Sequence, residues 1–186
     1  GKGQASKTPT RRARCSRVMD ERPVAFMSDE SEPNMCSLLS ADPQTAHFVG
    51  RPTHFFSHAW LYKILNVVAA LQQFKDSLPA DEPEPFFWVD TFAIDEHATQ
   101  TLPQEWWSTT FKEAIQMMGH TVMLLSPWNA PQPLKRSWCL WELYCSIVTG
   151  SDFDVCLGPE EESALEQALS EDAGAVLRAF SSISVG

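Results

Sequence analysis

Long uncharged apolar runs are missing from this chain of 186 residues. None approaches the roughly 18 to 20 positions that a membrane span requires, so no segment is expected to cross a bilayer. Paired cysteines are missing as well. Cys15, Cys36, Cys139, Cys145 and Cys156 are odd in number, scattered and without a CxxC, which points away from a disulfide framework or a zinc knuckle and toward reduced, mostly packed thiols. Glycine is sparse, and Gly50, Gly119, Gly150 and Gly158 each stand alone. Without a G-x-G-x-x-G or a G-x-x-x-x-G-K-[ST], P-loop phosphoryl transfer and an ordinary nicotinamide dehydrogenase are disfavoured. The amino-terminal GKGQASKTPTRRARCSR has no apolar core or small-residue cleavage site of a secretory signal, so the expected location is the cytoplasm.

What is present is apolar and aromatic. Hydrophobic residues make up 44% of the chain, with seven Trp and eleven Phe, enough to close the core of one domain with tails. Charge is divided unevenly. Residues 1–50 carry seven Lys/Arg against six Asp/Glu, whereas residues 51–186 carry seven against eighteen, a balance of −11. An acidic body disfavours nucleic-acid binding, and the Arg11-Arg12-Ala13-Arg14 cluster reads as a solvated tail or a contact for an acidic partner.

Residues 1–50 show no sustained period, with Pro9, Pro23, Pro33 and Pro43 among Ser, Asp and Glu, and are expected to form a largely irregular leader. From there to residue 186 the chain reads as one α/β domain. THFFSHAW from Thr53 predicts a buried strand opening onto a loop, and Leu61, Ile64, Leu65, Val68 and Leu71 predict a helix with that stripe inward. FFWVD (86–90) predicts a second strand. Trp107, Phe111, Ala114, Ile115 and Met118 predict a helix stopped by Gly119, and TVMLL (121–125) a third strand. A further helix is expected from about Arg136 to Gly150, packing Trp138, Leu140, Trp141, Tyr144, Ile147 and Val148. A fourth strand at 153–157 and a helix opening at Pro159 follow, with a short fifth strand through Ile183 and Val185 in a chain expected to continue past Gly186. Such alternation implies a mostly parallel sheet of about five strands in a three-layer, flavodoxin-like arrangement, with Ser57, Asp90 and Ser126 at the carboxyl edge where ligands bind.

The sharpest chemical feature is SWCLWEL (137–143). Trp138 and Glu142 stand at i and i+4, so one helix face presents an aromatic plate beside a carboxylate. That pair suits stacking on a planar ring while positive charge develops nearby, as in cleavage of a cationic N-glycosidic bond. The plainer alternative makes Trp138 core and Glu142 solvated. His58 either orients a substrate at the strand end or is a hydrogen-bonded structural histidine. Trp60 and Phe92, with Phe55 and Trp88, either line a base-stacking pocket or belong to the core. Asp95-Glu96-His97 groups potential metal ligands, but three adjacent loop side chains do not converge on one ion, so no metal is expected.

The ordered set FFSHAW, FFWVDTF, FKEAIQMMGHTVMLLSP and SxWCxxEL resembles Toll/interleukin-1 receptor (TIR) domains over roughly Thr53 to Leu157, in particular the divergent TIR-like domains found ahead of helical repeat arrays. It departs from many members at His58-Ala59-Trp60. The resemblance implies hydrolysis of NAD to nicotinamide and ADP-ribose or a cyclised product, NAD being substrate and no cofactor being needed. Glu142 matches the catalytic glutamate and Trp138 the aromatic beside the nicotinamide, with Ser57, His58, Trp60, Asp90 and Phe92 around the pocket. It also implies a homo-oligomer through TIR-like contacts, or else a noncatalytic signalling module of the same fold.

Overall fold

The computed structural model describes residues 35–93 and 104–183. The Arg11–Arg14 cluster, the Asp95-Glu96-His97 group and Val185 therefore lie outside the described residues. The elements run α1 (Met35–Ala41), a 3-10 turn (Ala46–Phe48), β1 (His54–Ser57), α2 (Ile64–Ser77), β2 (Phe87–Trp88), α3 (Asp90–Ala93), α4 (Gln104–Met118), β3 (His120–Leu124), a 3-10 turn (Gln132–Lys135), α5 (Ser137–Thr149), β4 (Asp152–Cys156) and α6 (Pro159–Ser182). The first helix and turn fall within the stretch expected to be largely irregular.

All strand pairings are parallel, in the order β2-β1-β3-β4. This is a mixed α/β fold of three-layer, flavodoxin-like type. The sheet has four strands where about five were expected, because α6 carries the chain to Ser182 and Ile183 caps that helix. All four strands are short, and the two central ones, β1 and β3, are buried as uninterrupted apolar runs require, whereas the edge strand β4 is largely exposed. β1 is buried at all four positions. Its alternating side chains feed two cores. Phe56 joins Val122, Leu124 and Cys156 against Val67, Ala70 and Phe74 of α2, while Phe55 turns to the opposite layer, against Phe111, Ile115 and Cys145 of α4 and α5.

The glycine stops sit where the apolar periods end. Gly119 (φ 70°) and Gly150 (φ 67°) adopt the left-handed conformation in which a Cβ is strained, letting α4 and α5 turn straight into β3 and β4. Pro159 occupies the first turn of α6 with Glu160, Glu161 and Glu162, which complements the helix dipole. That helix breaks at Asp172, whose carboxyl accepts from Ala175 N at 3.0 Å and caps the second segment.

Two expected helix faces are corrected. In α2 the inward residues are Val67, Ala70 and Phe74, whereas Leu61, Ile64, Leu65 and Val68 are exposed and Leu71 is only partly buried. Small Val67 and Ala70 let the helix approach the sheet closely, and Phe74 fills the space beneath. In α5 the inward residues are Cys139, Glu142, Cys145 and Ser146, while Tyr144, Ile147 and Val148 are exposed. Ser146 Oγ explains part of that choice. It bonds Thr121 Oγ1 of β3 at 2.8 Å and Glu142 O at 2.9 Å, so the polar face is satisfied where it is buried.

Candidate functional site

Parallel topology brings the ends of β1, β2 and β3 to one edge of the sheet, and α5 starts beside them. β1 ends at Ser57 and leads to His58. Just after β2, Asp90 opens α3. Glu142 reaches in from the second turn of α5. Four polar groups thus meet in a nearly closed space: Ser57 (1% exposed), His58 (9%), Asp90 (8%) and Glu142 (4%).

Glu142 is at the centre. Ser57 Oγ donates to its Oε2 at 2.5 Å, and the Trp138 side chain hydrogen-bonds the same carboxyl, so the i, i+4 pair meets as the spacing suggested. Burial dominates its ionisation and pushes the pKa up to about 8, with the nearby Asp90 charge acting in the same direction. Ser57, Arg136 and Trp138 oppose the shift without cancelling it. At neutral pH this group is mostly a neutral carboxylic acid.

Asp90 is held differently. It accepts from Trp60 Nε1 at 2.6 Å, from Thr91 N at 2.7 Å and from Thr91 Oγ1 at 3.2 Å. His58 Nδ1 lies 3.8 Å from Asp90 Oδ1, the oxygen that Thr91 bonds, and the His58 ring stacks on Phe56. Burial lowers the His58 pKa, Asp90 raises it and Arg136 lowers it further, the net effect being a largely neutral imidazole. Two carboxyls in one space are therefore kept in different environments, one solvated by protein donors and one desolvated. Enzymes use that contrast to separate acid and base roles.

Above them Arg136 lies over the Trp60 ring, 5.4 Å from its centroid, at the rim where the indole is 59% exposed. Trp138 carries two functions, since its ring also meets Phe111 edge-on at 4.8 Å within the second core. Phe92 packs against the first core cluster, and Phe55 stacks with Trp88 inside the second, so all three rings take part in core packing. Ser126, at the end of β3, is taken up by structure: its backbone binds the Tyr62 hydroxyl and its Oγ donates to Glu161 at 3.2 Å.

Two members of the cluster were not singled out in the sequence. Cys139, one turn before Glu142, points its Sγ at His58 O at 3.5 Å, and burial together with the neighbouring acid raises its thiol to about 11. That is a packed thiol and a poor nucleophile. Arg136, the N-cap of α5, supplies the cation nearest the acids. Its position directly before the SWCLWEL helix was the available signal. Among the described residues no group of three His, Cys, Asp or Glu side chains forms a metal-binding cluster, and no helix is long and apolar enough to cross a membrane. Comparisons with family models, curated proteins and solved structures yield no match.

Proposed function

We propose that this chain hydrolyses NAD at the nicotinamide N-glycosidic bond, with Glu142 as the essential carboxylate. The observation that carries the reading is the Ser57–Glu142–Trp138 couple, an ionisable group desolvated at the carboxyl edge of a parallel sheet with an indole bonded to it. The TIR resemblance of SWCLWEL adds to it.

Nicotinamide leaves as a neutral molecule when the C1′–N bond breaks, and positive charge passes to the ribose. An ionised Glu142 stabilises that oxocarbenium character more than the ground state, because a dry site gives the Coulomb attraction its full strength. Water then adds to C1′ and gives up one proton, for which the carboxylate is the acceptor. Products are nicotinamide, ADP-ribose and a proton. The raised pKa fits this cycle: the group is neutral and cheap to bury at rest, and a bound cation favours its ionised form. Asp90, held by Trp60 and Thr91, adds negative potential on the same side.

A noncatalytic signalling module is the second reading, and the near-complete closure of Glu142 (4% exposed) favours it. Nicotinamide release from NAD by concentrated wild type and Glu142→Gln separates the two. Turnover in wild type that falls by at least about 100-fold in the variant, the usual cost of losing a principal transition-state charge, supports the hydrolase. Equal turnover in both proteins would move the chemistry away from Glu142, and no turnover with no NAD binding at any concentration would leave the module.

A further inference from the structure

Two of the segments at the mouth of the Ser57–Glu142 space lack the acidity of the rest of the body. From Arg51 to Lys75 the chain holds no acidic residue, and between Gly119 and Ser151 the one acid is Glu142, mostly protonated at neutral pH. These stretches supply the turn after β1 and the loop after β3, in a region (51–186) where eighteen acids stand against seven cations. An anion approaching this protein meets least repulsion there.

Arg136 stands at that rim without an acid of its own. Among the described residues the acid–base pairs within 4 Å are His58–Asp90, Lys75–Glu84, His120–Asp154 and Arg178–Asp172, and Arg136 belongs to none of them. A cation placed only to neutralise Asp90 would pair with it. Instead the two Asp90 oxygens accept from Trp60 Nε1 at 2.6 Å and Thr91 N at 2.7 Å, and the Arg136 guanidinium lies over the Trp60 ring, 5.4 Å from its centroid. A guanidinium engaged through its face keeps its N–H fork for an oxyanion. Trp60 is itself fixed by the Asp90 bond although it is 59% exposed, so the cation rests on a rigid backing. This platform is built at His58-Ala59-Trp60, where the chain departs from many of the TIR sequences it resembles.

We infer that Arg136, backed by Trp60, anchors the anionic diphosphate of the substrate and thereby fixes which end of it enters. The site is polarised, with the carboxyls of Asp90 and Glu142 buried inside and the cation at the rim, and exposed Lys135 adds a second positive charge beside it. A ligand with a cationic ring at one end and an anionic tail gains at both ends in only one orientation. Naming NAD as that ligand rests on the reading proposed for Glu142; the demand for an anionic group at Arg136 does not.

Calorimetric binding of ADP and of adenosine to the full chain at low salt is the test, followed by turnover of NAD and of nicotinamide riboside, which carries the same scissile bond without phosphate. Wild type is expected to bind ADP more tightly than adenosine. Arg136→Gln, checked for folding by circular dichroism, is expected to weaken ADP by about tenfold or more, the loss of a charge-assisted bidentate contact, and to leave adenosine unchanged. Arg136→Lys keeps the charge without the planar fork and is expected to recover part of the affinity. The kcat/KM for NAD should fall with the affinity for ADP, and that for nicotinamide riboside should not. Absence of ADP binding in wild type would overturn the inference, as would ADP binding that Arg136→Gln leaves intact or that Arg178→Gln, at a distant ion pair, weakens equally. Arg136-dependent ADP binding without cleavage of NAD would uphold the anchor and sink the hydrolase, whereas cleavage with ADP binding indifferent to Arg136 would do the reverse.

Discussion

Replacing Glu142 by Gln should make the protein more stable at alkaline pH while leaving it little changed in acid. The unfolded chain releases the Glu142 proton near pH 4.5, whereas the native state holds it to about pH 8. Between those values the native state binds more protons than the unfolded one, so this group's contribution to stability falls as pH rises. Each unit is worth a little over 1 kcal/mol, so the total is roughly 5 kcal/mol, of which about 4 kcal/mol lies between pH 5 and 8. Glutamine keeps the shape and the acceptor for Ser57 but has nothing to ionise. The variant should therefore gain on wild type by that amount across the interval, equivalent to about 10 °C in Tm for a domain of this size. Thermal melts of both proteins at pH 5, 6, 7 and 8 measure it, and taking the difference cancels every other titrating group. A difference that stays constant within about 1 kcal/mol would show that the carboxyl is not held neutral by burial, and the account of the site would fail.

Three further outcomes follow from the same geometry. If Glu142 acts ionised, kcat/KM for NAD should rise about tenfold per pH unit below pH 8 and level off above it; a flat profile from pH 6 to 9 removes the group from the rate equation. At the other edge of the sheet, burial and the neighbouring His120 lower His54 to about 4, so the native state binds fewer protons than the unfolded chain between pH 6.5 and 4 and loses stability as pH falls through that window. His54→Phe, among Phe74 and Phe87, should flatten this acid dependence in urea melts, and an unchanged slope would count against a neutral buried imidazole. Phe111, 2% exposed between Phe55, Trp88 and Trp138, should cost about 3 to 5 kcal/mol when cut to Ala, read from urea denaturation. A loss below 1 kcal/mol would mean that the second core is not packed as described.

The elements were legible because their signals are local, and the buried acid was only half legible because its partners are not. β1 and β3 are short apolar runs between turn signals, β4 sets Phe153, Val155 and Cys156 between two aspartates and a glycine, and Gly119 and Gly150 stop their helices by a property of one residue. Periodicity also located α2 and α5. It did not fix which face turns inward. In α2 two apolar faces overlap, Ile64-Leu65-Val68 and Val67-Ala70-Phe74, and hydrophobicity alone favours the larger one. The sheet chose the smaller, because close approach over Val122 and Leu124 rewards Ala70 more than it would reward a second leucine. In α5 a polar face could go inward only because Ser57 and Thr121, 85 and 25 residues away from Glu142 and Ser146, stand ready to bond it. Spacing predicted that Trp138 and Glu142 share a side of the helix. Whether that side met water or Ser57 depended on a strand end whose position only the folded sheet determines. The same step explains why the residues left outside are informative: once Glu142 and the cysteines of α5 occupy the interior, and Val67 and Phe74 that of α2, the larger aliphatic side chains have no place in the core, and their exposure is a consequence of the packing that built the site.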